Sequence, residues 1–301
     1  MEFVPGPDLT VDDEHLGTSS SDDGPYQPRH LSPSSSNLYR QCPRKWQHRY
    51  VDRLADPPGQ PALVGTFAHL VLEHLLALPV GHRTQDAAKT IARDCWPEIE
   101  HDDDYASLGL TAADAKAFRW RAWQAIEGLW ALEDPNDTDV HATEHEVQIA
   151  VNEVPFRGIV DRIDVIDGEL VISDYKSGKA PPDRFRHRPL KQVLLYAAAV
   201  EAETGQRPMG ARLLYLGQRT LGVRVTERNL DDAVTELGET WASLTSDCAK
   251  QEFAATTGPL CAWCPFLAVC AEGQAEVRER DGAGRVRADA PGLAVIYAEA
   301  G

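Results

Sequence analysis

The chain has 301 residues and carries 47 Asp and Glu against 30 Lys and Arg, a formal net charge of −17, and it is long enough for a substantial core in one or two domains. That acidity excludes a uniformly basic surface of the kind that coats phosphate backbones, and no apolar run approaches the roughly 20 residues of a membrane span. The N-terminal stretch lacks the basic and apolar regions of a signal peptide, so a soluble cytoplasmic protein with no membrane partner is expected.

Residues 1–30, rich in Asp, Ser, Gly and Pro with few apolar anchors, are expected to form a disordered acidic tail. Ser34 to Ser36 offer N-caps for a short helix over NLYRQC; Pro43 ends or restarts it, and Trp46, Tyr50 and Leu54 continue at helical spacing. A second helix is predicted at about 64–78, with His69 and Glu73 on one face. A long helix at about 111–132, with Trp120, Trp123 and Ala131 in its buried stripe, precedes an acidic linker from Glu133 to Val140. Strands are predicted at 143–151, 154–166, 169–176, 211–216 and 221–226, with helices at 190–203 and 231–249. This order predicts an α/β or α+β core behind an N-terminal helical region. Charge is unevenly spread: no Lys or Arg occurs between Glu127 and Glu153, whereas bases gather at Arg40, Arg44, Lys45, Arg49 and Arg53 and again at Lys179, Arg184, Arg186, Arg188 and Lys191.

The run FRGIVDRIDVIDGELVISDYK alternates with period two on both sides of Asp167-Gly168, a strong two-residue hairpin signal. Pairing symmetric about that turn sets Asp161 across from Asp174, with Cβ atoms roughly 5 Å apart. An otherwise apolar face then ends in Asp161, Asp174 and Lys176. Opposed carboxylates on a half-buried face raise each other's pKa or recruit a cation, commonly a divalent metal, and the lysine can neutralise an anionic substrate.

Six cysteines occur. Cys261, Cys264 and Cys270 crowd into CAWCPFLAVC, and Cys42, beside Pro43, is the best-placed fourth ligand for a four-thiolate site; both zinc and iron-sulfur clusters use such sets, and spacing alone leaves the two open. Cys95 and Cys248 stand in helical surroundings and read as small buried hydrophobes. No G-x4-G-K-[ST] phosphate loop is present, so any unwinding motor is a separate protein.

In chain order LSPSSSNLYRQCPRKWQHRYVDRL, GTFAHLVLEHLL, FRGIVDRIDV, ISDYKSG, QVLLY and CAWCPFLAVC resemble the RecB-type nucleases of the PD-(D/E)xK superfamily, in particular the iron-sulfur branch that includes CRISPR-associated exonucleases and the AddB nuclease domain. The resemblance implies an α/β restriction-endonuclease-like core, a mixed central sheet flanked by helices, with an N-terminal helical extension and a C-terminal cysteine-rich metal staple. It implies one nuclease domain over 31–275, divided into a helical part (31–140), catalytic sheet and helices (141–250) and a cluster loop (251–275), with a tail over 276–301. It implies that Asp161, Asp174, His69 and a strand carbonyl near Tyr175 hold Mg²⁺ or Mn²⁺, and that Lys176 is the catalytic lysine. By the same resemblance Glu144 or Glu146 supplies a preceding acid, and Gln192 and Tyr196 form the Q-x3-Y motif beside the site. Cys42, Cys261, Cys264 and Cys270 match the ligands of a 4Fe-4S cluster, which shifts the preference from zinc to iron-sulfur. Val160 stands where the family motif has proline.

The expected activity is metal-dependent hydrolysis of DNA phosphodiester bonds, by an exonuclease acting on single-stranded DNA or DNA ends in repair or recombination, with a separate helicase or repair protein as partner. Two alternatives are a catalytically silent nucleic-acid-binding subunit stabilised by an iron-sulfur or zinc site, and a metal-stapled interaction protein without nucleic-acid affinity.

Overall fold

The structure, a computed structural model, describes residues 25–298 and the strand at 17–18; most of the expected acidic tail lies outside the described residues. In chain order the elements are β1 (Gly17–Thr18), β2 (Gln27–Pro28), α1 (Pro33–Gln41), α2 (Pro43–Tyr50), α3 (Gln60–Leu76), α4 (Gln85–Glu100), α5 (Asp103–Ser107) and α6 (Ala112–Glu127). There follow β3 (Val140–Val151), β4 (Val154–Ile166), β5 (Glu169–Lys176), α7 (His187–Thr204), β6 (Gly210–Tyr215), β7 (Arg219–Arg224), α8 (Glu227–Lys250), α9 (Ala271–Gly282) and α10 (Gly292–Ala298). Two compact units result, one built on Pro57–Glu236 and the other on the described parts of Asp12–Asp56 and Leu237–Gly301.

The first unit holds a mixed five-stranded sheet in the order β3-β4-β5-β6-β7, antiparallel except for the parallel pair β5 and β6, which α7 connects. Asp167 (φ 54°) and Gly168 (φ 81°) both occupy the left-handed region, as a type I′ turn requires. The turn sets the register that the alternation predicts, from Ile166↔Glu169 to Arg162↔Ser173. The ladder stops one step short of Asp161 and Asp174.

Helix α3 is apolar on most of its circumference because α4, α6 and the sheet cover it; Leu70, Val71, Leu72 and Leu75 are buried with Phe118, Ile126 and Leu214. Each such side chain contributes roughly 1.5–3 kcal/mol. Gly65 lets α3 approach the end of β5, since a Cβ there would lie 2.9 Å from Ser177 Oγ. The expected stripe of the long helix is corrected: Trp120 is 59% exposed and Ala131 is exposed, while Phe118, Ala122, Ala125 and Ile126 face inward. Helix α4 was not anticipated, because its buried positions are small and sparse (Ala88, Cys95, Ile99) and Pro97 lies inside it.

In the second unit Ser32, rather than Ser34 to Ser36, caps α1, through a reciprocal pair with Ser35. Trp46 is fully buried, ringed by Tyr26, Tyr39, Tyr50 and Phe253 at centroid distances of 5.1–6.2 Å. The tail expected over 276–301 contains helix: α9 and α10 close a small core of Ala262, Leu267, Val277, Ala290 and Ile296. Cys95 and Cys248 are buried. Among the described residues no helix is long and apolar enough to cross a membrane.

Candidate active site

The site forms in the first unit, where the regular ladders of β4 give way. Pairing of β3 with β4 is interrupted between Thr143↔Arg162 and His145↔Val160, at the level of Glu144 and Asp161, and Glu144 adopts φ 44°. That conformation costs a non-glycine residue on the order of 1–3 kcal/mol, and it accompanies a carboxylate turned toward its neighbours. Ligand atoms of His69 (α3), Glu144 (β3) and Asp161 (β4) all lie within 4.8 Å of one another. His69 Nδ1 is 3.4 Å from Asp161 Oδ2, which also accepts the Tyr175 N–H at 2.7 Å. The Asp161 side chain thus occupies a main-chain donor where the ladder between β4 and β5 has ended.

Asp174, 2% exposed, lies beside this group. Its Oδ2 contacts Lys176 Nζ at 2.7 Å and its Oδ1 accepts from Gln192 Nε2 at 3.4 Å. Tyr196, four residues on, is buried with its ring edge-on to Phe156. Of the two acids open in the sequence, Glu144 joins the group, while Glu146 pairs with Arg157 at 2.9 Å.

Burial, then the charges of Asp161, Glu73 and Asp174, pushes the Glu144 carboxyl up to about 8. Burial and Asp161 also raise Asp174, against the opposing pull of Lys176 and His69. For Lys176, burial pulls the ammonium down, but Asp174 and Asp161 outweigh it and hold its pKa above the ordinary value. Four acidic or imidazole side chains and a lysine converging at a strand end make a region that favours added positive charge. Because folded Glu144 keeps its proton up to about pH 8 whereas the unfolded chain releases it near 4.5, the cation-free protein loses stability as pH rises through that window. Thermal unfolding in EDTA should show Tm falling from about pH 6 to pH 8, with Glu144→Gln flattening the fall; an identical slope in wild type and variant would mean that the carboxylate is solvated.

Strand alternation sends the neighbours of the site residues to the opposite face, where a buried charge network forms that the sequence reading did not contain. Arg162, fully buried, meets Glu133 Oε1 at 2.7 Å. It meets Asp164 Oδ1 at 2.7 Å as an ion pair and the Tyr175 hydroxyl as a hydrogen bond at 2.7 Å. Arg212 NH2 lies 2.8 Å from Asp164 and 3.2 Å from Glu133, and Arg212 Nε donates to Ser173 Oγ. The Glu133 carboxylate, at the start of the acidic linker, thus neutralises two arginines.

In the second unit Cys42, Cys261, Cys264 and Cys270, all free thiols, line one cavity with Arg44, Lys45 and His48. Cys42 sits at the junction of α1 and α2. Three of these sulfurs accept a main-chain N–H: Cys42 from Thr256 at 3.4 Å, Cys261 from Gly258 at 3.4 Å and Cys270 from Gly273 at 3.3 Å. No three of the sulfurs come within 4.8 Å of one another among the described residues.

The family model described as PD-(D/E)XK nuclease superfamily matches residues 30–271. "Gene 69 protein" of Mycobacterium phage D29 is 27% identical over 202 residues, covering 58% of this chain and 70% of that protein. "Gene 69 protein" of Mycobacterium phage L5 is 22% identical over 213 residues, covering 56% and 69%. A solved structure from Eubacterium rectale that carries a provisional exonuclease name is 12% identical, with a TM-score of 0.42 over 75% of this chain and 84% of that one.

Proposed function

Because the chain belongs to the PD-(D/E)XK nuclease superfamily, we propose that it is a divalent-metal-dependent deoxyribonuclease of the RecB type, an exonuclease acting on single-stranded DNA or DNA ends in repair or recombination. The observation that carries this reading is the convergence of His69, Glu144 and Asp161 within 4.8 Å, beside the Asp174–Lys176 pair. The donor set fits a hard divalent ion: carboxylate oxygens suit Mg²⁺ and Mn²⁺, and without a cation Glu144 is driven toward its protonated form. When bound, Mg²⁺ or Mn²⁺ supplies Lewis-acid polarisation of a phosphate and lowers the pKa of a water.

His69, Glu144, Asp161 and Asp174 would hold that ion, with the Tyr175 carbonyl as a further donor. The Tyr175 N–H orients Asp161 by engaging one of its oxygens. Lys176 keeps its proton and would stabilise charge developing on the phosphorane or orient the attacking water. Gln192 steadies Asp174 from the other side, and Tyr196 anchors the α7 face that presents it. The test is cleavage of end-labelled single- and double-stranded DNA with Mg²⁺, Mn²⁺ or EDTA. Metal-dependent cleavage is expected, and its absence from the intact protein on both substrates would favour a binding subunit.

For Cys42, Cys261, Cys264 and Cys270 the proposal is a 4Fe-4S cluster with a structural role. Four thiols facing one cavity, three of their sulfurs accepting a main-chain N–H, suit anionic thiolates. Cluster assembly on thiolates from distant segments contributes folding free energy. Cys264→Ser should therefore lose brown colour and thermal stability together, in absorbance and melting measurements on anaerobically purified protein. Colour lost with stability unchanged would point to redox sensing instead.

A further inference from the structure

The segment that joins Lys176 to Gln192 was noted in the sequence only for its bases. In the structure residues 182–188 are all exposed, and Phe185 keeps 37% of its surface open. A single exposed apolar side chain is ordinary, but this one is built into a group. The guanidinium carbons of Arg184 and Arg188 lie 4.9 and 5.1 Å from its ring centroid. The segment's one acid, Asp183, is taken by Arg219 at 2.7 Å, so among the described residues Arg184 and Arg188 have no carboxylate partner.

The segment is also tethered. Gln218 accepts from Ala180 N at 2.9 Å and donates to Gly178 O at 2.8 Å. Its two ends meet one carboxylate, Lys176 on Asp174 Oδ2 and Gln192 on Oδ1. Helix α7 begins two residues beyond Phe185 and rises 1.5 Å per residue to Gln192, so the Phe185 Cα lies within about 15 Å of that of Gln192.

We propose that Phe185, with Arg184 and Arg188, is a stacking platform for an unpaired DNA base a few nucleotides from the scissile phosphate, and that it selects single-stranded DNA or an unpaired end. This rests on the nuclease reading above. Every base has a π-face that an aromatic ring or a guanidinium plane can meet, and such stacking is worth about 1–3 kcal/mol per base. A base inside a duplex is stacked on its neighbours and cannot offer that face without being extruded. The arginines, lacking carboxylate partners, can also reach backbone phosphates.

The test measures fluorescence anisotropy of labelled oligothymidylate and of a blunt duplex with the full chain in EDTA, and in parallel the cleavage of both in Mg²⁺ or Mn²⁺. Phe185→Ala should raise the Kd for the single strand roughly 5- to 150-fold while leaving duplex binding unchanged, and Phe185→Trp should retain wild-type affinity. Arg184→Ala with Arg188→Ala should reduce the salt slope by about 1.4. Equal single-strand affinity of Phe185→Ala and wild type overturns the platform; if wild type still cleaves, the nuclease reading survives. Single-strand binding that Phe185→Ala weakens, in a protein that cleaves with neither metal, supports the platform and overturns the nuclease reading.

Discussion

Replacing Asp174 by alanine is expected to abolish the proposed metal-dependent DNA cleavage, lowering the rate by about a thousandfold or more, because the several kcal/mol of transition-state stabilisation that a bound ion would supply depends on the carboxylates proposed to hold it. Folding will survive the change. Asp174 is buried with its pKa raised by desolvation and by Asp161, so removing it relieves a like-charge contact, and Lys176, with 29% of its side chain exposed, can turn to solvent. Initial rates on end-labelled single strands and a melting curve check both halves. Cleavage retained by Asp174→Ala would sink the assignment; cleavage lost together with the fold would leave Asp161→Asn as the cleaner probe.

The second large effect is on stability. Arg162→Met should cost roughly 3–5 kcal/mol, because it leaves Asp164 without its closest counter-charge and Glu133 with only the more distant Arg212 in a buried setting. In a domain of this size that is a fall in Tm of about 6–20 °C. The variant should also cleave more slowly than its residual folded fraction explains. Arg162 holds the Tyr175 hydroxyl, and the Tyr175 main chain holds Asp161, so a change on one face of the sheet reaches the carboxylate on the other. Chemical denaturation separates the outcomes: a loss below about 1 kcal/mol would show that water replaces the missing guanidinium, as it does for exposed pairs.

Part of the site's geometry is legible in the sequence. The Asp167-Gly168 turn and the alternation around it are local signals, and they set the β4-β5 register over Ile166↔Glu169 to Arg162↔Ser173. They therefore brought Asp161 and Asp174 to neighbouring positions at the end of that ladder. The choice between Glu144 and Glu146 was not readable. Both have the same parity in β3, and what separates them is the backbone at Glu144 (φ 44°) and the Arg157 partner of Glu146. A sequence signal did exist for the Arg162 network, since Arg162 and Asp164 interrupt what should be an apolar inward-facing row. Charges there read as a strand's solvent face until helices are known to cover it.

The helical region shows the same division. Helical periodicity says which residues share a face, not which face is covered, and so it puts Trp120 and Ala131 in the core; in the structure Phe118, Ala122 and Ile126 face α3 and its neighbours while Trp120 is exposed. By itself the sequence determined what depends on near neighbours: the Asp167-Gly168 turn, the strand alternation, the bounds of α3, α7 and α8 to within a few residues, and the presence of two acids and a lysine around one strand end. Only the tertiary structure decided which acid joins His69, which charges are buried in pairs, and that the four cysteines line a single cavity. Those outcomes depend on contacts between residues far apart in the chain, where the balance between desolvation and charge pairing is set by surroundings that no local pattern encodes.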